Sequence, residues 1–91
     1  MEPIRQPLDS IARDILHTLP PAERVMAAWP LVCGSRVAAN AKAVGFEGAT
    51  LRVVVADPVW RSELAPLGPR HAVRLQQLTG VPVADILFAG R

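Results

Sequence analysis

One thiol, two imidazoles and eight carboxylates are the groups in this 91-residue chain that could carry catalysis or hold a metal. Acid–base catalysis needs two titratable groups converging on one reacting bond, and a tetrahedral zinc site needs four close ligands. Cys33, His17 and His71 are too few for the zinc site, and a Cys33–His pair would need a spatial approach that the sequence does not show. The carboxylates fall mainly at helix starts and on polar faces, where capping and solvation account for them. Cys33 shares an apolar stripe with Trp29 and Val37, which reads as a buried, inert thiol. His17 and His71 lie on helical segments beside arginines and read as solvated. Neither G-x-x-x-x-G-K-[ST] nor G-x-G-x-x-G occurs, so no loop is built to cradle a nucleotide phosphate. The expectation is a protein that is not an enzyme, with no cofactor, no metal and no small-molecule substrate.

Binding chemistry is better supplied. Nine of the ten basic residues are arginine, and the charge is unevenly distributed. Residues 1–33 carry net −1, while residues 34–80 carry net +3. Arg70 and Arg74 are four apart on one helix face, Arg36 and Lys42 flank a helix-to-strand joint, and Arg52 points from a hairpin. Together they are the candidates for weak contact with a nucleic-acid backbone, which would weaken steeply with salt. Few aromatics are free to stack on bases, so such contact would be poorly sequence-specific. Trp29 reads as core. Trp60, near a helix start and beside Arg61 and Glu63, is the better anchor for a protein partner, because tryptophan buries a large ring while its N–H keeps one end wet.

The elements that must position these side chains are short, since nine prolines each fix φ and remove a donor. Residues 1–7 read as a flexible lead-in to a single domain over 8–91. Asp9 or Ser10 can cap a helix through residues 11–19. A second helix from Pro21 carries Val25, Met26, Trp29, Val32, Cys33 and Val37, with a break expected at Trp29-Pro30 and a further segment to about Asn40. Residues 43–56 read as a hairpin about Glu47-Gly48, with Leu51, Val53 and Val55 on one face and Thr50, Arg52 and Val54 on the other. Asp57-Pro58 starts the next helix, with Trp60, Leu64 and Leu67 as its stripe. Pro66, Gly68 and Pro69 interrupt it, Gly80 ends it, and residues 83–89 form a last strand. The fold class is α+β: order ααββαβ, a three-stranded sheet packed with helices.

A hydrophobic share of 51% with 20% charged residues belongs to a globular chain. A domain this small has room for one core and rarely for a deep cleft as well. A single cysteine, no apolar leader and no apolar run of spanning length predict a cytoplasmic protein without a membrane partner.

Four segments in order resemble the DciA-like family: Ala28-Trp29-Pro30-Leu31-Val32-Cys33-Gly34, Gly48-Ala49-Thr50-Leu51-Arg52-Val53, Pro58-Val59-Trp60-Arg61-Ser62-Glu63-Leu64 and Val83-Ala84-Asp85-Ile86-Leu87-Phe88. They match a tryptophan five residues before a glycine, a hairpin strand, a "W–EL" helix and a final apolar strand. The resemblance spans about residues 8–89. It implies a KH-like domain and a non-enzymatic accessory of bacterial chromosome replication, which binds the replicative DNA helicase, weakly contacts single-stranded DNA and is associated with the nucleoid. Trp60, Glu63 and Leu64 match its "W–EL" motif and, with Arg61, are the expected partner surface, while Arg36, Lys42, Arg52, Arg70 and Arg74, read from their charge and spacing, remain the candidates for DNA. The GXXG loop of nucleic-acid-binding KH modules is absent, so that mode of clamping the backbone does not transfer. The alternative is a general nucleic-acid-binding module of the same fold with no helicase partner.

Overall fold

In the computed structural model, residue 11 and residues 13–90 are described. The lead-in over 1–7 and the cap at Asp9 or Ser10 lie outside them. Residues 13–16 are helical (α1), and Leu16 enters the core. The following helices are α2 (Pro21–Cys33) and α3 (Ser35–Asn40). Strands β1 (Lys42–Glu47) and β2 (Thr50–Val54) form the hairpin. Helix α4 (Pro58–Leu64), a single 3-10 turn (Ala65–Leu67) and helix α5 (Gly68–Thr79) then cross over to β3 (Asp85–Ala89). The class is α+β, with the helices packed on a three-stranded sheet of order β1-β2-β3.

β1 and β2 pair antiparallel, whereas β2 and β3 pair parallel. A crossover of two helices between adjacent strands carries the chain from the end where β2 finishes back to the end where β2 began, and that makes the second pairing parallel. Leu51, Val53 and Val55 face the helices and are fully buried. α2 packs against β1 and α5, and α5 packs against β3. Trp29 is the largest fully buried side chain; its indole N–H donates to the Ala41 carbonyl at 3.0 Å. The opposite face is open, and Arg52 and Leu87 stand side by side on it, both exposed.

Boundaries differ from the sequence expectation in four places, and the first is α1, whose helical residues end at 16 and not 19. The second helix does not break at Pro30 but runs through it to Cys33. Proline costs the helix one donor, yet Val25, Ala28 and Trp29 before it are buried and Val32 and Cys33 after it are packed on the core, so tertiary contacts hold the turn together. The break falls at Gly34 (φ 91°, ψ 156°), a conformation essentially reserved for glycine. The hairpin turns at Gly48-Ala49, not Glu47-Gly48, because Glu47 pairs with Thr50. Both turn residues have positive φ, as a tight two-residue turn requires. The last strand begins at Asp85 rather than Val83; Val81 and Val83 are buried on the approach to it. Asp57 caps α4 as expected, its carboxylate accepting from the Val59 N–H at 2.8 Å, and Gly80 stops α5 in the left-handed region.

Candidate partner and nucleic-acid interface

Helix α4 carries the four candidate partner residues, and the fold separates them. Leu64 is 2% exposed and sits in the core. It anchors α4 and is not presented to a partner. Arg61 donates from Nη1 to the Val55 carbonyl at 2.8 Å and lies against Gly90, so it pins α4 to the ends of β2 and β3. Glu63 is exposed. Trp60 is half-buried, packed on the core along one side. Beside it Val59 is 66% exposed, which leaves an apolar patch at the start of the helix.

The five basic candidates do not form one surface. Lys42 pairs with Val54 at the end of β1, and Arg52 pairs with Gly45 and Leu87. Both are exposed on the open sheet face. A methyl group at position 45 would stand 2.5 Å from Arg52 Nη2, so the guanidinium lies directly on the glycine backbone. Arg70 and Arg74 occupy the solvent side of α5, whose other side sends His71, Ala72 and Leu75 into the core. The helix layer and the open face are thus separated by the thickness of the sheet and its packing, roughly 10 Å or more. Arg36 is exposed on the first turn of α3.

Compensating acids distinguish the two groups. Thr50, Glu47 and Asp85 share the open face with Lys42 and Arg52, and the Thr50 hydroxyl donates to Asp85 at 2.7 Å. From Leu64 to Ala84 there is no Asp or Glu at all. Helix α5 itself therefore carries no acid beside Arg70 and Arg74.

His71 is a correction. It is 9% exposed, not solvated, and its ring meets Trp29 edge to face. Its Nδ1 is buried without a hydrogen-bond partner. Desolvation, then the charges of Arg74 and Arg70, lower its pKa from 6.5 and favour the neutral ring. His17 is exposed as expected. Cys33 is partly buried, and desolvation raises its pKa to about 11, so the thiolate is strongly disfavoured.

Sequence reasoning passed over Arg24. Its guanidinium donates to the carbonyls of Leu16 at 3.1 Å, Leu19 at 3.0 Å and Thr79 at 3.1 Å. It closes the α1–α2 turn onto the end of α5. Nothing in the local sequence sets this arginine apart, because its acceptors are backbone groups brought together only by folding.

Among the described residues, no group of three or more His, Cys, Asp or Glu side chains is placed to hold a metal. No helix among them is long and apolar enough to cross a membrane. No curated protein matches the chain. The model of the family described as "Dna[CI] antecedent, DciA" matches residues 8–88. The match covers most of the chain and takes in the hairpin, the "W–EL" helix and nearly all of the last strand. The chain belongs to the DciA family.

Proposed function

We propose that this protein is a non-enzymatic accessory of bacterial DNA replication that binds the replicative helicase through the exposed side of α4 and weakly contacts single-stranded DNA, assisting helicase loading. A role in replicative helicase loading holds for the family, and membership over residues 8–88 is the observation that carries the reading. On this reading Trp60 and Val59 supply apolar area at the partner surface, Glu63 and the remaining donors of Arg61 supply polar contacts, and Leu64 holds the helix in place. The DNA contact belongs first to Arg70 and Arg74, with Arg36, Lys42 and Arg52 contributing less because acids stand near the sheet residues.

The two binding surfaces lie on consecutive helices of one crossover. A helicase held at α4 would keep a strand touching α5 at high local concentration, so weak DNA affinity is enough to act on the bound pair and too weak to sequester DNA alone. The work would be done in the cytoplasm, at the nucleoid.

The test pairs co-purification of the helicase, with wild-type and Trp60→Ala chains, with a salt titration of oligonucleotide binding. The expected result is recovery of helicase by the wild type, its loss with Trp60→Ala, and very weak DNA binding at ~150 mM salt. Micromolar binding at that salt without helicase recovery would instead favour the general nucleic-acid-binding module.

A further inference from the structure

Strand β3 is an edge of the sheet, paired with β2 on one side only. The Ala89 carbonyl accepts from the Val55 N–H at 2.8 Å, which fixes how the strand is turned. Backbone groups alternate in direction along a strand, so Asp85, Leu87 and Ala89 bond toward β2 while Ile86 and Phe88 aim their N–H and C=O groups outward. Among the described residues none meets those outward groups with a hydrogen bond. Helix α5 begins beside this edge at Gly68, where a Cβ would stand 3.5 Å from the Phe88 ring and 4.0 Å from the Ile86 carbonyl oxygen, so the glycine sets no side chain against it.

The side chains of β3 are correspondingly open. Ile86 and Phe88 lie on the core side in register with Leu51 and Val53, which are fully buried, yet both are only partly buried themselves. Leu87 is 53% exposed on the open face. Folded proteins ordinarily blunt such an edge or pair it. The opposite edge is blunted, since β1 carries a bulge between Ala43 and Gly45 and the charged residues Lys42 and Glu47 at its ends. β3 runs in unbroken register from Asp85 to Ala89 with three consecutive apolar residues, no proline and no cation.

Symmetry decides the occupant. An antiparallel copy of β3 centred on Leu87 sets Ile86 opposite Phe88 of the second copy, and Phe88 opposite Ile86 of the second copy. These are the positions that exchange both hydrogen bonds, so every outward group of the two residues is satisfied. Leu87 meets its own counterpart on the two-fold axis, in the closer non-hydrogen-bonded position. On the core side each pair joins an aromatic ring to a β-branched side chain. Asp85, the one charge in the strand, falls opposite Ala89 and away from the other Asp85.

We infer that two copies of this chain pair through β3, antiparallel about Leu87, joining their three-stranded sheets into one. The contact is small beside the ~1,600 Å² of a standard interface, so the pair is weak and forms at high local concentration. It uses no residue assigned to helicase or to DNA.

Sedimentation equilibrium of the full chain from about 10 µM to 1 mM, with backbone hydrogen exchange at both ends of that range, tests the inference. The expected result is a monomer–dimer equilibrium, with slower exchange at Ile86 and Phe88 in the concentrated sample and no change along β1. Leu87→Lys is an exposed change, and a melting curve checks that it leaves the fold intact. It sets like charges on the axis and weakens association about tenfold or more. Leu87→Glu alone does the same, whereas an equimolar mixture of Leu87→Lys and Leu87→Glu chains recovers the dimer. The inference is overturned if the chain stays monomeric throughout, if Leu87→Lys associates as tightly as wild type, or if the mixture fails to pair. It is also overturned if helicase rather than concentration protects Ile86 and Phe88, which would give the edge to a partner's strand. A chain that recovers helicase but stays monomeric sinks this inference alone, and a dimer that recovers no helicase sinks the α4 reading alone.

Discussion

The rings of Trp29 and His71 meet edge to face, with centroids 5.3 Å apart and planes inclined at 78°. The contact joins α2 to α5 across the core. Phe88 of β3 approaches the same indole at 6.1 Å, and the indole N–H holds the Ala41 carbonyl at the start of β1. One tryptophan therefore ties both long helices to both edge strands.

That pairing predicts a pH dependence. The native pKa of His71 is lowered from 6.5, while the unfolded chain keeps the ordinary value. Below about 6.5 the unfolded state binds a proton that the native state resists, so stability is full above that pH and declines as pH falls through it. Trp29 faces the ring from α2, and the nearby charges on α5, Arg70 and Arg74, are both positive, so no neighbour among them offsets the proton. Melting temperature should fall between about pH 7.5 and 5.5 in wild type. In His71→Phe that acid-side slope should be much flatter, and an unchanged slope would assign it to other groups.

The two tryptophans should behave differently. Trp29→Ala removes a fully buried ring and leaves the Ala41 carbonyl unpaired, at a cost of about 3–5 kcal/mol. Trp60 is half-buried, so Trp60→Ala should lower the melting temperature by less than ~10 °C, the lower end of what loss of a core aromatic brings in a domain this size. Thermal melts of both variants, read beside helicase recovery, check this.

Arg70 and Arg74 should dominate the salt dependence of DNA binding. Replacing both with Ala should reduce the slope of log K against log salt by about 0.7 for each single-strand phosphate that is no longer neutralised. Arg52→Ala should change it less, because Glu47 and Asp85 share its face. Fluorescence anisotropy with an oligothymidylate at several salt concentrations measures both slopes.

Arg24 is expected to be the most sensitive basic residue for stability. Arg24→Ala leaves three carbonyls without their shared donor group and should cost about 2–3 kcal/mol, the scale of losing hydrogen bonds to a charged group. Arg24→Lys should recover only part, because an ammonium cannot reproduce the guanidinium fork. Urea unfolding of the pair measures the difference.

Ala49 holds a φ of 64° in the hairpin turn. Left-handed backbone is costly for a residue with a Cβ, so Ala49→Gly should raise stability by about 0.5–1 kcal/mol despite the added freedom of the unfolded chain. Ala49→Val should lower it. Chemical denaturation midpoints check the two signs.

Local signals in the chain were sufficient wherever neighbours along the backbone supply the physics. The Asp57 cap, the Pro58 start, the Gly80 stop and the alternation of Leu51, Val53 and Val55 are short-range effects, and each appears where the residues place it. Family membership was likewise legible, from four segments that resemble the family, and the family model matches residues 8–88. Pro30 and His71 were misread for one shared reason. A proline breaks an isolated helix and an arginine-flanked histidine is wet on an isolated one, but both lie next to Trp29, and packing around that ring overrides the local preference.

The amino-acid sequence by itself determined an α+β domain with a hairpin, its helix caps and a tryptophan core, because these follow from periodicity and turn chemistry, and its resemblance to known sequences placed it in the DciA family. Only the tertiary structure decided which charged and aromatic groups are free to bind. Folding carried Leu64 inward, tied Arg24 and Arg61 to backbone carbonyls, and set Arg70 and Arg74 on one layer with Lys42 and Arg52 on another. Whether a side chain is available depends on long-range neighbours that burial and hydrogen bonding assemble, and no window of the chain contains them.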